Sequence, residues 1–213
     1  MEEKGLFLDG VRIALGGRVL IEFSRHVPPG GVLTVMGPSG SGKSSLLAYL
    51  AGFLDSAFTA SGRALVDGAE ITALAPEERH VGILFQDPLL FPHMSVAGNL
   101  IFALPESLKG RSARRAAAEK ALDDVGLAGM GERDPATLSG GQKARVALAR
   151  VLLSAPRMLL LDEPFSKLDM ELRQQMRMLV FDKARERSLP VLLVTHDEAD
   201  AEAAGGEIVR IGG

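Results

Sequence analysis

The chain has 213 residues, 46% of them hydrophobic, and a formal net charge of −3; it holds enough apolar material for one core and no global basic field to draw nucleic acid. It contains no cysteine, which excludes disulfides, thiolate metal sites and cysteine nucleophiles. No run approaches the roughly 20 apolar residues that cross a bilayer, and the opening MEEKGLFLDG is acidic where a secretory signal is basic.

Taken in order, residues 5–15, 18–23 and 62–66 read as short strands, with turn chemistry at Gly16-Gly17 and Asp67-Gly68. This is the pattern of antiparallel hairpins. Residues 32–36 (VLTVM), 81–85 (VGILF), 158–161 (MLLL) and 191–195 (VLLVT) are apolar without alternation, as expected of strands buried on both faces of a mostly parallel sheet. Helical patterns over 44–53, 113–125, 142–153 and 171–187 lie between them, so the fold class is α/β with crossover helices. Residues 87–156 hold little strand signal and read as mainly helical. Within them RSARRAAAEKA (111–121) reads as a solvated helix face. A last strand-like run, EIVRIGG, closes the sequence.

Each buried strand runs into chemistry. Residues 32–36 lead into GPSGSGKS, 81–85 into Gln86 and Asp87, 158–161 into Asp162 and Glu163, and 191–195 into His196 and Asp197. Ligands of open α/β sheets bind outside the carboxyl ends of the strands, so the four exits are expected to share a site. GPSGSGKS fits G-x-x-x-x-G-K-[ST] between a strand and a helix. In such a loop, glycine backbone N–H groups surround phosphates, Lys43 supplies charge to the β- and γ-phosphates, and the Ser44 hydroxyl ligates Mg²⁺. Asp162 is expected to help hold Mg²⁺ and Glu163 to take a proton from attacking water. Gln86 is read as a neutral polar group facing metal and water, and His196 as a donor near the γ-phosphate. A second glycine-rich stretch, LSGGQ at Leu138 to Gln142, opens another helix, and Ser139 reads as its N-cap.

Together, GPSGSGKS, Gln86, LSGGQ, MLLLDE, SKLD (Ser166 to Asp169) and His196 resemble, in order and over essentially the whole chain, the motif set of the ABC transporter ATPases. The resemblance implies a P-loop NTPase fold in a single nucleotide-binding domain (1–213), with an α/β core at 1–86 and 156–213, an N-terminal antiparallel subdomain and a helical subdomain at 87–155. It makes Gly37, Pro38, Ser39, Gly40, Ser41, Gly42, Lys43, Ser44 and Ser45 the Walker A loop, Asp162 and Glu163 the Walker B pair with Glu163 as general base, Gln86 the Q-loop residue and Mg²⁺ ligand, and His196 the switch histidine.

The resemblance further implies that Ser139, Gly140, Gly141 and Gln142, with Asp169 of the D-loop, serve ATP bound by a second copy. The partners implied are a homodimer around two ATP, permease subunits and a solute-binding protein, with no nucleic acid, at the cytoplasmic face of the membrane. FQDPLLFPHMSVAGNL (85–100) and DEPFSKLD resemble importer ATPases, and Leu89, Leu90, Phe91 and Met94 are either permease contacts or internal core. An exporter ATPase or an iron-sulfur-assembly ATPase remains the alternative. Two departures stand out. Leu15 occupies the position where the family stacks adenine on an aromatic ring, and Tyr49 in the following helix cannot replace it, which implies weak base selectivity. No regulatory domain follows the last strand-like run, so a short form is expected.

Overall fold

The computed structural model describes residues 4–212; the expected domain span of 1–213 runs beyond them at both ends. The strands are β1 (Leu6–Leu15), β2 (Arg18–Val27), β3 (Val32–Met36), β4 (Phe58–Val66), β5 (Ala69–Glu70), β6 (Val81–Leu84), β7 (Met158–Asp162), β8 (Val191–Thr195) and β9 (Glu207–Arg210). The α-helices are α1 (Lys43–Ala51), α2 (Val96–Ala103), α3 (Arg111–Asp123), α4 (Gly140–Leu153), α5 (Met170–Glu186) and α6 (Glu198–Ala204).

The strands form two sheets, an antiparallel one in the order β2-β1-β4-β5 and a parallel one in the order β6-β7-β8-β3-β9. β1 and β2 join through Gly16-Gly17, both at positive φ (55° and 83°), the two-residue turn whose twist matches that of the strands. Both partners of β1 are longer than their sequence signals. β2 continues to Val27, and β4 begins at Phe58 rather than at residue 62, because β1 offers paired backbone up to Leu15, opposite Phe58. The ladder carries the strand through Ala60 and Gly62, both weak strand formers.

The absence of alternation in the parallel strands has a direct structural counterpart. Leu33, Val35, Met158, Leu160, Leu192 and Val194 point into a core shared with the antiparallel sheet and α1. Their neighbours Val32, Leu159, Leu161, Val191 and Leu193 point the other way, against α4 and α5. A strand side chain flips face at every residue, so only an unbroken apolar run serves two cores. A third cluster joins α2, α3 and α4 through Leu100, Leu122 and Val146. α2 and α6 had no individual sequence signal; α2 lies in the region read as mainly helical.

β6 is an edge strand packed closely on α4. A Cβ added at Gly82 would lie 2.6 Å from Val151 Cγ1 and 2.9 Å from Leu159 Cδ2, so Gly82→Ala should destabilise the fold by about 1–3 kcal/mol through overpacking. Urea denaturation with an unchanged m-value checks this; wild-type stability would mean that the joint relaxes freely.

Candidate active site

The parallel ladders bring the strand ends to one level. Met36 pairs with Thr195 and Asp162 with Val194, so the residues that follow β3, β7 and β8 emerge side by side. They border a cleft of about 700 Å³ lined by the glycine loop, Glu163, His196, Leu15, Leu20 and Phe58.

The glycine loop turns at Gly40 and Gly42, with φ of 79° and 97°. Gly42 is the N-cap of α1 and supplies no side chain to cap it, so the first N–H groups of the helix, at its positive end, stay available to an anion. Any Cβ at Gly42 would sit 3.0 Å from Leu20 Cβ, in a left-handed conformation that disfavours side chains. The Lys43 ammonium is buried and donates to the Gly37 and Pro38 carbonyls at 2.7 and 2.8 Å, which holds its charge across the loop. Pro38, Ser39, Ser44 and Ser45 line the cleft, whereas Ser41 is buried beneath it with no partner for its hydroxyl. Ser44 Oγ donates to Asp162 Oδ1 at 3.4 Å. Burial pushes the Asp162 carboxyl above its usual range, with Glu163 adding to the rise, while the Ser44 hydrogen bond and the Lys43 charge oppose it.

Glu163 stands at φ 46°, unusual for a residue with a side chain and costing roughly 1–2 kcal/mol. Its surroundings impose this conformation. Its N–H donates to Val194 O at 2.9 Å, and its carbonyl accepts from Ser166 N at 3.2 Å and Ser166 Oγ at 2.9 Å. The turn aims its carboxylate at the cleft, where His196 Nδ1 lies 3.0 Å from Glu163 Oε1.

Sequence reasoning missed the network behind His196. Asp197 caps α6, accepting from Ala199 N at 2.8 Å, and receives Arg173 Nη1 at 2.7 Å. Arg173 Nη2 also donates to the Ser166 and Leu168 carbonyls. One turn further along α5, Arg177 Nε donates to Asp200 at 2.6 Å, and the buried Asp200 accepts from Thr195 Oγ1 at 2.9 Å. The available signal was the i, i+4 spacing of Arg173 and Arg177 against Asp197 and Asp200. Burial pushes the Asp197 carboxyl up, but the Ala199 and Asp200 N–H groups with Arg177 and Arg173 outweigh it, leaving it below the usual range.

The expected convergence of all four exits needs correction for Gln86. β6 lies three places from β3, roughly 14 Å at the spacing of strands in a sheet. Gln86 instead lines a separate cavity of about 200 Å³ with Gly140, Lys143 and Lys167. The residues of LSGGQ also stay out of the cleft. Ser139 and Gln142 form a reciprocal capping box, with Gln142 N donating to Ser139 Oγ at 3.3 Å and Ser139 N to Gln142 Oε1 at 3.0 Å. Asp169 caps α5 by accepting from Leu172 N at 3.0 Å. A Cβ on Gly141 would meet Leu172 Cδ2 at 2.7 Å, so these two capped helix ends stand side by side. Leu15 does line the cleft.

The sequence profile described as ABC transporter matches residues 20–166. The chain belongs to the ABC transporter family. It is 49% identical over 186 residues to the uncharacterized ABC transporter ATP-binding protein YnjD of Escherichia coli, covering 87% of this chain and 85% of that one. It is 48% identical over 169 residues to the thiamine import ATP-binding protein ThiQ of Cereibacter sphaeroides, covering 79% of this chain and 72% of the relative. The Fe(3+) ions import ATP-binding protein FbpC of Rhizobium etli is 42% identical over 202 residues, 94% of this chain but 56% of the relative's length. Among solved structures, cbiO1 of Clostridium perfringens, part of the ABC transporter complex cbiONQ, matches with a TM-score of 0.84 at 27% identity, over 99% of this chain and 85% of that one. The expected α/β P-loop fold is therefore present, and the chain is an ATP-binding, ATP-hydrolysing member of this family.

Because the Asp197 carboxylate is held below its ordinary range, its contribution to stability is present above the unfolded-state pKa and is lost as pH falls through the folded one. Asp197→Asn should therefore melt below wild type at neutral pH, with the gap closing as pH drops below about 4, near the ordinary Asp value. A gap in thermal melts that stays constant with pH would contradict this.

Proposed function

We propose that two copies of the chain pack head to tail around two ATP molecules, each glycine loop facing the α4 N-terminus of the other copy. The observation that carries this reading is the position of LSGGQ: a capped, glycine-rich helix start that lies outside the cleft of its own chain. Ser139, the N–H groups of Gly140 and Gly141, and Gln142 would then face the γ-phosphate held by the partner, with Asp169 beside them. Such a helix end favours anions through both dipole and free N–H groups.

Within one chain, Lys43 and the α1 N-terminus bind and orient the triphosphate. Glu163 takes the proton of the attacking water, and His196, 3.0 Å from its carboxylate, fixes that carboxylate and faces the departing phosphate. The Ser44 hydroxyl and Asp162 carboxylate, 3.4 Å apart, are hard oxygen donors that suit Mg²⁺, an ion that usually takes few protein ligands and completes its shell with phosphate oxygens and water. When bound, Mg²⁺ supplies charge neutralisation to the transferring phosphoryl group. Gln86 would join this site only on movement of the segment after β6, as part of a helical subdomain at 87–155 shifting against the core.

We further propose that closure of the pair drives an importer permease, supplied by a solute-binding protein, from the cytoplasmic face of the membrane. Among the described residues no helix is long and apolar enough to cross a membrane. Relatives are named as import subunits for iron and thiamine. An exposed apolar patch suits a permease contact: Leu89 is 56% and Phe102 63% exposed, and Phe91 sits edge-on to Phe102 at 5.0 Å. Leu90, by contrast, packs between two core clusters.

Glu163→Gln should keep ATP binding, lose at least about a hundredfold in turnover, and accumulate a dimer at saturating Mg-ATP, because it removes the base and leaves the phosphate contacts. Light scattering that finds only monomer would contradict the proposed pairing.

A further inference from the structure

The lining of the cleft is of two chemical kinds. One is the glycine loop with Lys43 and Ser44; the other is apolar and consists of Leu15, Leu20 and Phe58, with Leu20 reaching the loop at Gly42. Phe58 is the one phenyl or phenol ring among the described residues that line it, and the remaining ring, the His196 imidazole, is engaged with Glu163.

Three features hold Phe58 in place. It pairs directly with Leu15 across the β1–β4 ladder. It packs on the core beneath the sheet while remaining partly exposed. The turn before it is closed by Asp55, whose carbonyl accepts from Phe58 N at 3.0 Å and whose Oδ1 accepts from Ala57 N at 2.8 Å, an Asx turn that fixes where the strand starts. A purine is a flat π-system, and an aromatic face stacks on it better than a branched aliphatic chain does.

We propose that Phe58, carried by β4, is the ring on which the purine of the nucleotide stacks, with Leu15 and Leu20 bounding it as apolar edges. This rests on the cleft being the ATP site. Leu15, on β1, then contributes contact area but no stacking face. None of the three side chains carries a hydrogen-bonding group, so adenine and guanine are held alike, and GTP competes with ATP on nearly equal terms.

Calorimetric titration of the full chain with ATP, GTP and inorganic tripolyphosphate separates base from phosphate binding. Phe58→Leu should weaken ATP and GTP by about tenfold and leave tripolyphosphate unchanged, whereas Phe58→Tyr should stay within about twofold of wild type for all three. The proposal is overturned if Phe58→Leu binds ATP as wild type does, or loses ATP and tripolyphosphate equally. A wild-type chain that binds neither ATP nor tripolyphosphate would instead overturn the reading of the cleft itself. Nuclear Overhauser contacts from adenine H8 to Phe58 ring protons in the wild-type protein are expected and do not depend on any variant folding. ATP bound without them also overturns the proposal.

Discussion

The candidate active site depends on one constraint, the register of the hydrogen-bond ladders that join β3, β8 and β7. With Met36 opposite Thr195 and Asp162 opposite Val194, the glycine loop, the acidic pair and His196 emerge at one height. A slip of one residue would move a strand end by about 3.3 Å and exchange its two core faces. The two-sided apolar packing of these strands prevents that slip, since Leu193 and Val194 serve opposite cores. Glu163 continues the ladder one step beyond β7 through its bond to Val194 O, and this bond helps hold its backbone in the left-handed region.

α5 couples the parts that flank this frame. At its first turn Leu172 packs against Gly141 of the signature stretch. Next, Arg173 holds the Ser166 and Leu168 carbonyls and Asp197 together. One turn later Arg177 reaches Asp200, which in turn holds Thr195 at the end of β8. The signature end and the His196 loop are thus fixed to one rigid element. The Arg177–Asp200 pair is the buried part of this network, and a buried pair is costly to break once made, which ties the end of β8 to α5. Gln86 is outside the network, two residues beyond the end of the edge strand β6.

Much of this was legible in the sequence because it was written in short range. Unbroken apolar runs encode two-sided burial, and GPSGSGKS carries its own turn, cap and charge. The capping box at Ser139 needs only a three-residue spacing. What was not legible depends on distant pairings. Phe58 entered the cleft because β1 extended β4 backward by four residues, a fact held in the partner strand rather than around Phe58. Gln86 was placed with the other exits because each strand end looks alike in sequence, whereas strand order puts β6 at an edge. The Arg173 and Arg177 network needed α5 to lie against the loop after β8, and solvent-facing arginines on a helix look the same in sequence.

The central claim is that a glycine loop and a signature stretch from different chains make one site. Ser139→Ala disables only the signature and Lys43→Ala only the phosphate loop, so each pure variant has two broken composite sites per pair. A mixed pair has one site with both halves intact. The steady-state ATPase rate across a titration of one variant into the other is predicted to rise above either alone and to peak near equal amounts. A rate that stays on the straight line between the two variants at every ratio would contradict the account.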